Sequence, residues 1–176
     1  EALEVVFGMV FDGVAAFDDA ADQFRVAAGA FADHEEGRLD AAFAQNVERA
    51  RRHDVPSAGT SAHAFTLLHT TDDGPDEAAA FRGQVAALGV STTLLVDTYD
   101  ITEGVKTAVA VAGPELGGVR IDSGDLGVLA RQVRQQLDDL GATKTRIVVS
   151  GDLDEYAIAA LRAEPVDSYG VGTSLV

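Results

Sequence analysis

Five short clusters in this sequence hold residue types suited to chemistry on charged, oxygen-rich small molecules. The first is Gly59-Thr60-Ser61-Ala62-His63-Ala64-Phe65. A glycine turn followed by small side chains lets a backbone approach a ligand closely, and His63 can move a proton or accept a phosphoryl group near neutral pH. A lone histidine is more often structural than catalytic, so His63 gains weight only from its company. His34, His53 and His69 read as surface or packing residues, and no pair has the spacing of a helical zinc motif. The second cluster is Leu95-Val96-Asp97-Thr98-Tyr99-Asp100. The third is Arg120-Ile121-Asp122-Ser123-Gly124-Asp125, in which Arg120 and Asp122 flank Ile121 and share one face of a strand. The arginine can grip a carboxylate or phosphate in a fork, and the acid can bind ribose hydroxyls or Mg²⁺. A local ion pair would account for those two residues but not for the Ser-Gly-Asp that follows. Ser150-Gly151-Asp152 and Gly170-Val171-Gly172-Thr173-Ser174 complete the set, as small or hydroxyl-bearing turns fit to cradle phosphate. Each is weak alone, and neither a Walker loop nor a dinucleotide-binding glycine motif is present.

These clusters need a scaffold that aims them at one place. Thr92 to Asp97, Val119 to Asp122, Arg146 to Ser150 and Ser168 to Val171 are short apolar runs of strand type. Helical stretches are expected over about Asp76 to Leu88, Thr102 to Ala112, Leu126 to Leu140 and Asp154 to Ala163, with a shorter one at Ser61 to Leu68. Near-continuous apolar strands alternating with amphipathic helices indicate an α/β fold with a parallel sheet. In such folds active sites gather at the carboxyl ends of strands, where four of the clusters fall. The plainer reading is that their Asp and Ser residues are helix N-caps, which has about even odds for Ser123 and Asp152 taken alone. A complete β/α barrel takes about 250 residues and eight strands, so residues 57–176, with four or five clear strands, are expected to form either an open sheet or a partial barrel within a larger protein. Residues 1–56 read as a mostly helical segment, with helices around Phe17 to Phe31 and Leu39 to Arg52. Its opening, Leu3 to Val10, is strand-like.

Composition narrows the function classes. A formal net charge of −16 leaves no basic stripe to neutralise phosphates, so nucleic-acid binding is not expected. No apolar run reaches the ~20 residues that span a bilayer. The absence of cysteine removes thiolate nucleophiles, disulfides and Cys-based metal sites. With no leader-like start at Glu1, a cytoplasmic protein is the expectation.

The five blocks occur in the order found in nicotinate phosphoribosyltransferases, and over about residues 55–176 the chain resembles that family, its actinobacterial members most closely. The resemblance implies an irregular barrel of the type II phosphoribosyltransferase kind and a homodimer with sites at its interface. It implies conversion of nicotinate and phosphoribosyl pyrophosphate to nicotinate mononucleotide with Mg²⁺, driven by ATP through a phosphohistidine matched by His63. Arg120 matches the residue near the nicotinate carboxylate. Asp97 and Asp122 match acids near the ribose and the metal-bound pyrophosphate, with Asp122 the Mg²⁺ ligand. Thr60, Ser61, Thr98, Tyr99, Ser123, Gly151, Asp152, Gly170, Gly172 and Thr173 match substrate-binding positions on the same rim. The family's upstream phosphate-binding segments are replaced here by Asp33-His34-Glu35-Glu36 and Ala44-Gln45-Asn46. That departure keeps a second reading open, a truncated or redesigned non-catalytic α/β fragment with residual phosphate or nucleotide binding. A third is a relative that uses nicotinamide or quinolinate.

Overall fold

The computed structural model describes residues 5–7 and 61–171. Five strands form one sheet: β1 (Val5–Phe7), β4 (Thr93–Leu95), β5 (Gly118–Ile121), β6 (Arg146–Val149) and β7 (Ser168–Val171), in the spatial order β1-β7-β6-β5-β4. From β4 to β7 every pairing is parallel. The helices are α1 (His63–Leu67), α2 (Glu77–Leu88), α3 (Ile101–Ala112), α4 (Leu126–Asp139) and α5 (Glu155–Leu161). The strand-helix alternation expected from the apolar runs is therefore present, with ends shifted by one or two residues. A small antiparallel hairpin of β2 (Thr70–Thr71) and β3 (Gly74–Pro75) was not expected from sequence. The proposed helices of residues 1–56 lie outside the described residues, apart from the strand found within the strand-like opening.

Strand register separates the sheet's two faces. Leu94, Val96, Val119, Ile121, Ile147, Val149 and Tyr169 pack in one core with Phe81, Val105, Val133, Leu137 and Leu161 from the helices. Leu95, Arg120 and Val148 are level with one another across β4, β5 and β6. Since side chains alternate along a strand, these three project from the opposite face. Continuing each strand by two residues places Asp97, Asp122 and Ser150 in one row on that same face, just past the carboxyl ends.

The capping reading is settled by the next acid along in each case. Asp125, not Ser123, caps α4 by accepting from the Val128 N–H at 3.1 Å. Asp154, not Asp152, caps α5 by accepting from Ala157 at 2.7 Å. Asp76 and Asp100 cap α2 and α3 in the same way, each accepting at 2.9 Å. Each satisfies a backbone donor that the first helical turn leaves unpaired.

Candidate active site

The row at the carboxyl edge is tied together by short polar contacts. Asp97 is well enclosed, its side chain only 6% exposed. Its Oδ2 accepts from the Asp122 backbone N–H at 2.8 Å and from the Ser123 hydroxyl at 2.9 Å. Its Oδ1 is buried and has no hydrogen-bond partner. A buried carboxylate oxygen left open is costly in a folded protein and is a frequent mark of a site that awaits a ligand.

Arg120 and Asp122 confirm the same-face reading. An Arg120 terminal nitrogen donates to Asp122 Oδ1 at 2.6 Å, and Arg120 Nε donates to Ser150 Oγ at 2.6 Å. The Ser150 hydroxyl in turn donates to Asp122 Oδ1. Burial alone would raise the Asp122 pKa. The Ser150 and Arg120 hydrogen bonds, with the nearby charges of Arg120 and His63, outweigh it and hold this carboxyl below its ordinary value.

His63 opens α1 and faces the acids from outside the sheet. Its Nε2 lies 3.7 Å from Asp122 Oδ2 and 3.9 Å from Asp97 Oδ1, and its Nδ1 is 3.1 Å from the Thr98 hydroxyl. With a proton on Nε2 facing both carboxylates, a neutral ring accepts from the Thr98 hydroxyl at Nδ1 and a protonated ring donates to it. The imidazole is 38% exposed and so is reachable from solvent.

The remaining expected residues are less central. Ser61 is buried, and Tyr99 is exposed. Gly151 has φ +123, and a Cβ there would stand 3.0 Å from the Asp122 carbonyl oxygen, so glycine lets this turn pass close to the acid. Gly170 plays a similar part beside Ser150, whose Cβ would be 2.9 Å from an added Gly170 Cβ. Asp152 is exposed and makes no hydrogen bond or ion pair with the cluster. Thr60, Gly172 and Thr173 lie outside the described residues. Among the described residues, no group of three His, Asp or Glu side chains is arranged to hold a metal ion.

Two participants were not singled out from sequence. Ser150 was seen only as part of a phosphate-type turn, although its level with Asp122 follows once β5 and β6 are aligned. Glu77, at the start of α2, carries no local signal at all. Its pKa is pushed up to about 7 by burial, then by the charges of Asp100 and Asp97. Its Oε1 is buried and has no hydrogen-bond partner. In the unfolded chain this carboxyl ionises near its ordinary value of 4.5, so the folded state holds the extra proton between that pH and about 7. Stability from this group is therefore full below the lower pH and is lost as pH rises through the upper one. Glu77→Gln should remove that loss. Thermal melts are expected to coincide with wild type near pH 4.5 and to lie higher for the variant at pH 8. Melting curves displaced equally at both pH values would count against this assignment.

The fold and the cluster together define an α/β protein with an acid, arginine and histidine site at the carboxyl edge of a parallel sheet. No family model matches the chain. Among solved structures, nicotinate-nucleotide pyrophosphorylase from Pyrococcus furiosus aligns with a TM-score of 0.61 at 28% identity, over 72% of this chain and 33% of that one. Nicotinate phosphoribosyltransferase from Porphyromonas gingivalis shares the fold, with a TM-score of 0.63 at 24% identity over 74% of this chain and 36% of that one. In sequence, nicotinate phosphoribosyltransferase pncB1 of Mycobacterium tuberculosis is 70% identical over 138 residues, covering 77% of this chain and 31% of the relative. The Bacillus subtilis nicotinate phosphoribosyltransferase is 38% identical over 140 residues, covering 74% of this chain and 27% of its own length. Over the matched residues the chain is homologous to the nicotinate phosphoribosyltransferases. It spans about a third of the length of the curated relatives it matches. Among the described residues, no helix is long and apolar enough to cross a membrane.

Proposed function

We propose that the carboxyl-edge cluster transfers the phosphoribosyl group of phosphoribosyl pyrophosphate to nicotinate, giving nicotinate mononucleotide. The observation that carries this reading is the level row of Asp97, Asp122 and Ser150 with Arg120 beneath it, on the sheet face opposite the helical core. The names of the relatives, nicotinate phosphoribosyltransferase and nicotinate-nucleotide pyrophosphorylase, point to the same reaction in its two directions. A site on the face away from the helices is what a barrel interior would supply. The described sheet is accordingly read as part of a β/α barrel over residues 57–176, completed by parts of a longer cytoplasmic protein that works as a homodimer.

In the transfer, the bond from the anomeric carbon to pyrophosphate breaks and a bond to the pyridine nitrogen forms. Positive charge gathers on the ribosyl ring between these events, as in glycosyl transfer. The open oxygens, Asp97 Oδ1 and Asp122 Oδ2, stand where they can stabilise that charge. Mg²⁺ is commonly held by one or two carboxylates together with substrate phosphates. Asp97 and Asp122 would be the residues to hold a Mg²⁺ that arrives with the pyrophosphate, and bound there it would neutralise the leaving group. Arg120, fixed by Asp122 and Ser150, presents positive charge for the nicotinate carboxylate.

ATP coupling is assigned to His63. Its ring nitrogen would take the γ-phosphoryl group with release of ADP, and water would later remove that group as phosphate. The test is nicotinate mononucleotide formation from nicotinate, phosphoribosyl pyrophosphate and Mg²⁺, with and without ATP. Product should rise with ATP in wild type, while His63→Ala should keep a basal rate that ATP does not change. Stimulation of His63→Ala equal to wild type would remove His63 from this role. A well-folded wild type that makes no product under either condition would favour the non-catalytic fragment.

A further inference from the structure

We infer that Ser150 is a positioning residue that fixes the Arg120–Asp122 pair and leaves Asp122 with a single oxygen open to ligands. The inference rests on the transfer reading for its kinetic consequence, but its structural content stands by itself.

The hydrogen-bond directions leave little freedom. Arg120 Nε has one proton and donates it to Ser150 Oγ at 2.6 Å. An arginine cannot accept, so the serine hydroxyl must aim its own proton elsewhere. Asp122 Oδ1 is its acceptor. The same oxygen also accepts from the Arg120 terminal nitrogen at 2.6 Å. Arg120, Ser150 and Asp122 therefore form a closed triangle of three donations, two of them from a charged donor and two into a charged acceptor. Charge-assisted bonds of this kind are about twice as strong as neutral ones.

Closure has two effects on the site. It saturates Asp122 Oδ1, so only Oδ2, on the His63 side at 3.7 Å, remains to meet a ligand. It also holds the guanidinium by its Nε edge as well as by a terminal nitrogen, which fixes the plane in which Arg120 can present a fork. The surroundings keep the serine in place. Ser150 is 6% exposed, and its backbone N–H is bound to the Ile121 carbonyl at 2.9 Å. The absence of a side chain at Gly170 gives it room. The hydroxyl spends its one proton within the triangle, and the residue is buried, so Ser150 acts through its neighbours rather than on substrate.

Ser150→Ala tests this with two readouts. In wild type, the Arg120 Nε–H should give a resolved, slowly exchanging signal in nitrogen-proton NMR spectra, assigned by its disappearance in Arg120→Lys. In Ser150→Ala that signal should broaden or exchange away, while the backbone amide spectrum and the melting temperature stay close to wild type. In the transfer assay, the KM for nicotinate should rise on the order of 10-fold or more, the loss expected for a hydrogen bond to a charged group. A merely structural serine would lower stability without moving the Arg120 signal or KM. A persistent, slowly exchanging Nε–H in Ser150→Ala overturns the inference. If wild type makes no product, the transfer reading fails, and the Arg120 signal still decides whether Ser150 holds the pair.

Discussion

Asp122→Asn should reduce nicotinate mononucleotide formation by about 10³-fold while leaving the chain folded, the loss typical when one preorganised electrostatic group is removed from a reaction centre. Asparagine keeps an oxygen where Asp122 Oδ1 accepts from Arg120 and Ser150, so the triangle that braces the site survives. What changes is the other position. Asp122 Oδ2 becomes an N–H₂ donor directed at His63, 3.7 Å away, and it can neither ligate a metal nor stabilise a cationic ribosyl ring. The loss should appear mainly in kcat, because charge on the ribose develops in the transition state rather than in the bound substrate. Steady-state rates of product formation alongside melting curves will separate this from unfolding. A variant that keeps more than a tenth of the wild-type rate would place the reaction elsewhere.

Gly104→Ala carries the second large effect, and its sign runs against ordinary helix propensity. In an exposed helix interior this substitution stabilises by about 1 kcal/mol. Gly104 instead lies buried within α3, where an added Cβ would stand 2.2 Å from the Val96 carbonyl oxygen and 3.1 Å from its carbon. Backbone cannot yield as a flexible side chain would, so α3 must move away from the end of β4. Overpacking of this kind costs about 1–3 kcal/mol, a fall in melting temperature on the order of 5–10 °C. Val96 directly precedes Asp97, whose hydrogen bonds to the Asp122 backbone and Ser123 would be disturbed by the same shift. Thermal denaturation and turnover should therefore fall together. A melting temperature at or above wild type would mean that this close approach does not constrain the chain.

The parts of the site visible from sequence were those encoded within a single strand or turn. Arg120 and Asp122 alternate across Ile121, so their shared face follows from the pleat, and the 2.6 Å contact agrees. The parallel sheet was likewise legible, because β4 and β6 are largely buried, apolar runs. What required tertiary information was the level between strands. Ser150 meets Asp122 only because Val149 pairs with Ile121, a register no local pattern specifies. Glu77 stands 20 positions before Asp97 and looks like an ordinary acid in a first helical turn. Its raised pKa comes from burial and from two carboxylates brought near by folding. For the caps, local sequence left the choice even. Ser123 and Asp152 have favoured capping types, yet Asp125 and Asp154 take those positions because each sits where its helix begins.

The proposed role of Asp97 and Asp122 is to receive the phosphoribosyl donor through Mg²⁺ at their open oxygens. Its most direct test is calorimetric titration of phosphoribosyl pyrophosphate into wild type and Asp122→Asn, each with Mg²⁺ and with a chelator in its place. The open oxygens of two carboxylates should repel the anionic donor, and a metal ion held there should reverse that repulsion. Expected is saturable binding to wild type with Mg²⁺, weaker by at least about 10-fold without the metal, and a much smaller metal effect in Asp122→Asn. Equal affinity in all four titrations would contradict the assignment of these acids to the donor.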